Sequence, residues 1–319
     1  MQHLTRRDFV AAGVGIAASA ALARQPDTKA PPASPPKPDP APRSPAAPKR
    51  TLRKAIMIGM CTAGGSIEEK LRIIKDAGFD GVEGNSPDPA NTDEFLNAAA
   101  KVGVAVHGMV NSAHWRIPLN TPDAKAQEAA DTALRSCLLD AKRFGSSSIL
   151  LVPGVVNERL AYDECWTNSI ARIRAALPVA RETGVKIAIE NVWNGFILSP
   201  LEALRYLDEI NDPMVGWHFD IGNVINFGWP EQWIRILGKR ILKLHIKDFS
   251  RKKRDAEGLW KGFATELGDG DAGWPRVMAA LDEVGYSTDP AGRWATAEVS
   301  GGDAKRLAEI SHQMDRIFA

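Results

Sequence analysis

Eight short runs of β-branched and other apolar residues alternate with longer amphipathic segments from residue 54 onward, and this alternation limits the possible folds. The runs begin at residues 54, 79, 104, 147, 185, 215, 241 and 293. The segments between them, such as SIEEKLRIIKDAG from residue 66, carry Ser, Thr or Asp near the start and often Gly at the end, as helices do. Eight strands alternating with helices predict an α/β fold closed into a (β/α)8 TIM barrel. An open doubly wound sheet is the alternative, but no strand here leads into a GxGxxG turn.

The chain before the first strand differs in composition from the rest. The motif TRRDF at residues 5–9 precedes an apolar run at 10–22 and a small-x-small cleavage signal at 21–23, which together resemble a twin-arginine export signal. Residues 26–48 contain 10 of the 21 prolines. We therefore predict a signal peptide at 1–23, a disordered Pro-rich linker at 24–50, a single barrel domain at 51–319 and a periplasmic location.

The charge and hydropathy of the predicted domain argue against two classes of protein. Residues 51–319 hold 32 basic and 36 acidic side chains, a net charge of −4, whereas a nucleic-acid binder presents a basic surface. No apolar run approaches the roughly 20 residues that a membrane span requires. Cys61, Cys137 and Cys165 have no metal-type or redox-type spacing, so we expect buried thiols, although one disulfide stays open.

Charged residues at the ends of consecutive predicted strands suggest a metal site. The C-terminal ends of barrel strands meet at one face, and a charged residue there is costly unless it is paired or bound to a metal. Three carboxylates this close repel one another, and a divalent cation relieves that repulsion. Three oxygen donors and one imidazole suit a single Mn²⁺, Mg²⁺ or Co²⁺ ion, and Zn²⁺ is also compatible. The predicted ligands, on strands five to eight, are Glu190, Asp220, His245 and Glu298.

Other polar residues near these positions are weaker candidates. His218 would point inward one layer below Asp220, as a support for the ligands or as a core histidine. Glu83 and His107, at the expected ends of strands two and three, would bind substrate hydroxyls, assist proton transfer or serve the structure alone. Lys247 would steer an anionic oxygen or pair with Asp248.

Several motifs resemble the xylose-isomerase-like barrel superfamily of sugar isomerases and epimerases. They are GFDGVEG on strand two, IEN on strand five, DIGN on strand six, HIKD on strand seven, and LGDGDAGWPRVMAALDEVGY leading to AEVSG on strand eight. The superfamily also contains endonuclease IV repair enzymes, inosose dehydratases and hydroxypyruvate isomerases. The resemblance covers residues 52–318 and specifies the superfamily better than it specifies the substrate.

The ketose 3-epimerase branch implies roles for individual residues. Its metal ligands match Glu190, Asp220, His245 and Glu298, and its two glutamates also move the proton. Arg251 lies six residues after His245, as does an arginine that contacts substrate in that branch, although RKKR at 251–254 is equally typical of a solvated charge run. Asn223, which we expect to contact the substrate, stands where many relatives have histidine, which weakens a three-metal, endonuclease-like interpretation. Trp115 and Trp193, in predicted mouth loops, suit sugar surfaces or core packing.

These observations predict a metal-dependent isomerase or epimerase that moves a proton next to a carbonyl. Because phosphorylated sugars are largely intracellular, the predicted export indicates an unphosphorylated sugar or keto-glycoside as substrate. The first alternative is a dehydratase or lyase acting on a keto-sugar or inosose, with His107 or Lys247 as the acid. The second is a non-catalytic sugar-binding protein. Association into a homo-oligomer is left open by the sequence.

Overall fold

A computed structural model describes residues 49–87 and 92–319 and contains a closed barrel of eight parallel strands. Each strand pairs with the next along the chain, and the eighth pairs with the first. The predicted barrel is therefore confirmed and the open sheet is wrong. The predicted signal peptide and all but the last two residues of the predicted linker lie outside the described residues. The strands are β1 (Arg53–Met57), β2 (Gly81–Ser86), β3 (Ala105–Asn111), β4 (Ser148–Leu151), β5 (Lys186–Glu190), β6 (Val215–Asp220), β7 (Ile241–Ile246) and β8 (Trp294–Ala297).

The helices form the layer around the barrel, and each strand is followed in the sequence by at least one helix. Two additional short helices, α6 and α8, follow β6 and β7. In order the helices are α1 (Ile67–Asp76), α2 (Thr92–Val102), α3 (Ala124–Arg143), α4 (Tyr162–Thr183), α5 (Pro200–Ile210), α6 (Gly222–Ile225), α7 (Pro230–Leu237), α8 (Arg251–Glu257), α9 (Trp274–Glu283) and α10 (Ala304–Phe318).

Helix ends follow the local signals in the sequence. Ser66 caps α1, and its partner Glu69 bonds back to the Ser66 backbone, which satisfies amide groups that lack an intrahelical acceptor. Ser199 and Glu202 do the same at the start of α5. That helix ends at Asn211, whose φ of 52° lies in the left-handed region that asparagine tolerates.

Strand β6 shows why polar residues can occur on a strand with no exposed face. Trp217 and Phe219 point to the helix layer, where the Phe219 ring lies against Trp233 of α7 with centroids 6.0 Å apart. Since side chains alternate along a strand, His218 and Asp220 point into the barrel. All four residues are fully buried, so the barrel interior is where this strand places its polar groups.

The three cysteines are buried and free, as predicted, and no disulfide joins them. Within residues 49–87 and 92–319, no helix is both long enough and apolar enough to cross a membrane.

Candidate metal centre and active site

Four side chains converge at the C-terminal mouth of the barrel, where β5 to β8 end. Each offers one ligand atom, and these atoms all lie within 4.8 Å of one another. The strand register explains this, because Asp220 pairs with His245 and His245 pairs with Thr296 on the next strand. Glu298, two residues after Thr296, points the same way. The structure thus brings together all four predicted ligands, which we call the four-residue cluster: Glu190, Asp220, His245 and Glu298.

His245 lies at the centre of the cluster, with one ring nitrogen facing the three carboxylates. Its Nδ1 is 2.8 Å from Glu190 Oε1, 3.2 Å from Glu298 Oε2 and 4.0 Å from Asp220 Oδ2. Asp220 and His245 are buried, whereas the Glu298 side chain is 33% exposed. A substrate would therefore approach the cluster from the side of Glu298.

The ammonium group of Lys247 lies beside the same carboxylates. Its Nζ is 3.0 Å from Asp220 Oδ2 and 2.7 Å from Glu298 Oε2. The ammonium group is thus close to both carboxylates. Neither Asp220 Oδ2 nor Glu298 Oε2, however, has a partner with hydrogen-bond geometry among the described residues. The structure therefore places Lys247 at the cluster and not on Asp248.

The donor set of the four-residue cluster fits one divalent cation. Among residues 49–87 and 92–319, no hydrogen bond uses the lone pairs of two buried oxygens, Asp220 Oδ2 and Glu298 Oε2, and His245 adds a nitrogen donor. Carboxylate oxygens and an imidazole nitrogen are accepted by Mn²⁺, Mg²⁺, Co²⁺ and Zn²⁺ alike. The residues thus suit a cation without selecting which one.

The surroundings give the ionisable groups of the cluster different proton affinities. Burial raises the pKa of Glu190 to about 7, and the charge of His245 offsets part of that effect. For Glu298, burial opposes ionisation, but the charges of His245 and Lys247 outweigh it and lower the pKa well below its usual range. Burial also disfavours charge on His245, yet the carboxylates around it, first Glu83 and then Glu298, raise its pKa well above the usual value. Near neutral pH, Glu298 is therefore ionised while Glu190 carries a proton part of the time.

Two asparagines fix the position of Asp220. The side-chain amide of Asn191 accepts from the Asp220 backbone N–H at 3.0 Å and donates to the Asp220 carbonyl oxygen at 2.7 Å. The backbone N–H of Asn223 donates to Asp220 Oδ1 at 2.8 Å. The Asn223 side chain donates to the Asn191 carbonyl oxygen, and Lys247 Nζ lies 3.4 Å from its Oδ1. Asn223 thus supports the cluster, and its predicted contact with substrate stays a prediction.

Asp248 explains the motif that precedes α9. Its carboxylate accepts from the backbone N–H groups of Gly268, Gly270 and Ala272 and from the Trp274 indole. A Cβ added to Gly270 would lie 2.1 Å from Asp248 Oδ1, so a larger residue would displace the loop. The aspartate of HIKD, Asp248, therefore anchors the loop before α9, which is a structural role.

Glu83 and His107 lie inside the barrel, and their predicted position at strand ends was wrong. Strand β2 continues to Ser86 and β3 continues to Asn111. Glu83 Oε2 is 2.7 Å from His245 Nε2, on the side of that ring away from the other ligands. His107 bonds Thr296 at 3.0 Å and stacks on Trp294, the first residue of β8, with centroids 4.3 Å apart. These contacts place His107 towards the opposite end of the barrel from the cluster.

His218 lies one layer below Asp220, as predicted, against the His245 ring. The ring centroids are 4.1 Å apart, and His218 Nε2 is 3.8 Å from Glu83 Oε1. Neither ring nitrogen has a hydrogen-bond partner among the described residues, and burial lowers the pKa of His218 well below its usual value. His218 is therefore a neutral residue that packs beside His245.

The remaining candidates lie around the mouth. Arg251 begins α8 and donates to the Gly228 carbonyl oxygen at 3.0 Å, so its guanidinium is held by a neighbouring loop. The Trp193 indole donates to the Asn223 carbonyl oxygen, and its ring packs 4.9 Å from Trp260 and 5.0 Å from Phe263. Trp115 is 53% exposed. Substrate contacts of Arg251 and both tryptophans stay predictions.

Two buried residues beside the site, Lys243 and Asn191, were not predicted from the sequence. Lys243 is 2% exposed in the barrel interior, and its ammonium donates to the His107 carbonyl oxygen. It lies two residues before His245, and this spacing was the signal that it points inward. Asn191 is the last residue of the IEN motif, and its side chain holds the backbone of Asp220.

Comparison with known proteins agrees with this architecture. A family model described as a xylose isomerase-like TIM barrel matches residues 71–316. An L-ribulose-5-phosphate 3-epimerase, UlaE, from Salmonella paratyphi A is 27% identical over 251 residues, which cover 74% of this chain and 86% of that protein.

Two solved structures share the fold at low sequence identity. A D-psicose 3-epimerase from Clostridium cellulolyticum H10, solved with D-tagatose, aligns with a TM-score of 0.67 at 18% identity over 83% of this chain and 98% of that one. The IOLI protein, solved with a bound zinc atom, aligns with a TM-score of 0.66 at 17% identity over 84% of this chain and 98% of that one.

Proposed function

The chain belongs to the xylose isomerase-like TIM barrel family, and on this premise we propose that it is a divalent-metal-dependent sugar epimerase or isomerase. The observation that carries the proposal is the convergence of three carboxylates and one imidazole within 4.8 Å at the barrel mouth. Two of the similar proteins, UlaE and the D-psicose 3-epimerase, are named as sugar epimerases, which supports epimerisation as the reaction. The zinc atom in the IOLI structure supports a metal.

In the proposed reaction, Glu190 and Glu298 move the proton. A bound cation would supply positive charge that favours removal of a proton next to a carbonyl. Glu298, which is partly exposed at the mouth, is placed to accept that proton. Glu190, with a pKa of about 7, is suited to return one. If the two carboxylates act on opposite faces of a planar intermediate, the carbon is inverted, whereas one carboxylate acting twice would shift the carbonyl.

We propose an unphosphorylated sugar or keto-glycoside as substrate and the periplasm as location. The support for both is the twin-arginine-like motif at residues 5–9, because phosphorylated sugars are largely intracellular. The D-psicose 3-epimerase structure, which holds D-tagatose, supports an unphosphorylated ketose.

One observation favours a lyase as the second candidate. Lys247 Nζ lies within 3.0 Å of two cluster carboxylates, so an ammonium group is within reach of a departing oxygen. Burial disfavours its charge, but Asp220 and Glu298 outweigh burial and raise its pKa, which makes it a weak acid. His107, the other acid considered, is bonded to Thr296 away from the mouth. The lyase alternative therefore depends on Lys247.

Deuterium exchange tests the proposed function. We expect the Mn²⁺-loaded protein, incubated in D₂O with unphosphorylated ketoses and 3-keto-glycosides, to give an interconverted sugar with deuterium at the exchanged carbon, detected by NMR. An unsaturated product would identify a lyase. Binding of these sugars with neither exchange nor product would contradict an enzyme and support a sugar-binding protein.

Metal affinity should rise with pH. The pKa values of His245 and Glu190 are both raised, so both groups hold protons at pH 6 that a cation has to displace. We expect Mn²⁺ binding to release between roughly one and two protons, so that the association constant rises about tenfold or more per pH unit in this range. Calorimetry at pH 6, 7 and 8 in buffers of different ionisation enthalpy measures both quantities. An affinity that does not change with pH would contradict the assignment of these ligands.

A further inference from the structure

The cluster described above uses one nitrogen of His245, and the other nitrogen makes a contact that the proposed reaction leaves unexplained. Nδ1 faces Glu190, Asp220 and Glu298, while Nε2 lies 2.7 Å from Glu83 Oε2. The Glu83 and His245 side chains are each only 1% exposed, so Glu83 cannot contact a substrate at the mouth. Any influence of Glu83 on the metal site therefore acts through His245.

A carboxylate on one nitrogen of an imidazole determines how the other nitrogen can bind a cation. A histidine ligand binds through a nitrogen that carries no proton, so a cation on Nδ1 requires the remaining proton on Nε2. Glu83 is placed to accept that proton in a hydrogen bond, which also fixes the plane of the ring. The Glu83–His245 pair therefore favours the tautomer that directs a free Nδ1 lone pair into the four-residue cluster.

Lys243 places a positive charge near Glu83 in the barrel interior. A Cβ added to Gly108 would lie 2.8 Å from Lys243 Nζ and 3.0 Å from Glu83 Oε1, so both groups approach the same glycine. The Lys243 side chain also donates to the His107 carbonyl oxygen. A buried anion needs a nearby cation or several hydrogen bonds, and Lys243 and His245 together meet that need.

We propose that Glu83 is a positioning residue that orients His245 and so increases the affinity of the four-residue cluster for a divalent cation. This inference rests on the proposed function, because it assumes that the cluster binds a metal. It assigns Glu83 no contact with the sugar.

A second cation held by Glu83, His218 and His245 is the competing interpretation. One ligand atom from each of these residues lies within 4.8 Å of the others, and neither nitrogen of His218 has a hydrogen-bond partner in the part of the chain that the structure describes. The ammonium of Lys243 beside Glu83 opposes it, since a second cation would be repelled at that position.

Titration of the full chain, stripped with EDTA, with Mn²⁺ tests the proposal. We expect one equivalent of Mn²⁺ in wild type and in Glu83→Gln, with a Kd that is about 10–100-fold weaker in the variant. The matched control is Glu231→Gln on α7, where a buried carboxylate pairs with Arg276 outside the barrel. This control should leave the Kd within about twofold of wild type, which is the spread expected for a distant site.

The other outcomes overturn the proposal in different ways. A folded Glu83→Gln protein with an unchanged Kd would show that Glu83 is structural only. Two equivalents in wild type and one in the variant would identify a second cation site. No binding of Mn²⁺ or Zn²⁺ to wild type would refute the proposed metal centre itself.

A second measurement covers the case in which Glu83→Gln does not fold. In wild type loaded with Zn²⁺, ¹⁵N spectra of the His245 ring should show a proton on Nε2 and the metal on Nδ1, with His245→Gln used to assign the signals. The metal on Nε2 would overturn the proposal.

Discussion

Replacing either Glu190 or Glu298 by glutamine should lower the rate of sugar interconversion by roughly 10²–10⁴-fold, the usual contribution of a positioned acid or base. Both side chains present an oxygen to the same small volume, and each lies within 3.2 Å of His245 Nδ1. Glutamine keeps the size of the side chain but cannot accept the proton. The measurement is the rate of interconversion at saturating Mn²⁺, which separates loss of proton transfer from weaker metal binding.

Two comparisons sharpen this test. Asp220→Asn removes a ligand that is fully buried and not assigned to proton transfer, so its rate should recover at high Mn²⁺ concentration more than the rates of the glutamate variants. In an epimerase with two carboxylates, Glu298→Gln should still exchange deuterium into one epimer while producing none of the other. Retention of full interconversion by either glutamate variant would contradict the proposed roles.

The four ligands could be predicted from the sequence because each follows from local information. An apolar run identifies the strand, alternation along it gives the inward side, and the barrel brings the C-terminal ends together. Asp220 and His245 are inward residues at the ends of β6 and β7. For such residues, strand identity and alternation are sufficient.

Residues whose positions depend on the pairing between strands were harder to predict. The pairing of β2 with β3 shifts between Val82 and Glu83, and both strands extend beyond their apolar runs. Glu83 and His107 consequently lie deeper than a count along the sequence indicates. A register shift is a property of two strands, so neither strand sequence alone reveals it.

Contacts between distant parts of the chain were also beyond local reasoning. The Asp248 carboxylate accepts from groups 20 to 26 residues later in the chain, and nothing local to HIKD identifies these partners. Lys243 is a buried charge in a strand, and its acceptor, the His107 carbonyl oxygen, is 136 residues away. Buried lysines are rare enough that the sequence favours an exposed position.

Replacing Lys247 by methionine should destabilise the metal-free protein by about 3–5 kcal/mol, the cost of breaking a buried ion pair by removing one partner. Lys247 Nζ lies 3.0 Å from Asp220 Oδ2 and 2.7 Å from Glu298 Oε2, and Asp220 has no exposed surface. Without the ammonium of Lys247, the three carboxylates of the cluster would have His245 as the remaining cationic side chain in contact with them. Urea unfolding of EDTA-treated protein measures the change in the free energy of unfolding.

Adding Mn²⁺ should remove most of this difference, because the lysine and a metal ion compete for the same two oxygens. A ligand that binds only the folded protein stabilises it more when its affinity is higher. No ammonium competes with Mn²⁺ in Lys247→Met, so the free energy of unfolding of this variant should gain more from Mn²⁺ than that of wild type. Lys101→Met, which removes an exposed ion pair with Glu68 on the outer helix layer, is the matched control and should cost less than about 1 kcal/mol, with or without metal. Equal destabilisation of Lys247→Met in EDTA and in Mn²⁺ would show that Lys247 is not competing with a cation, and would place the metal elsewhere.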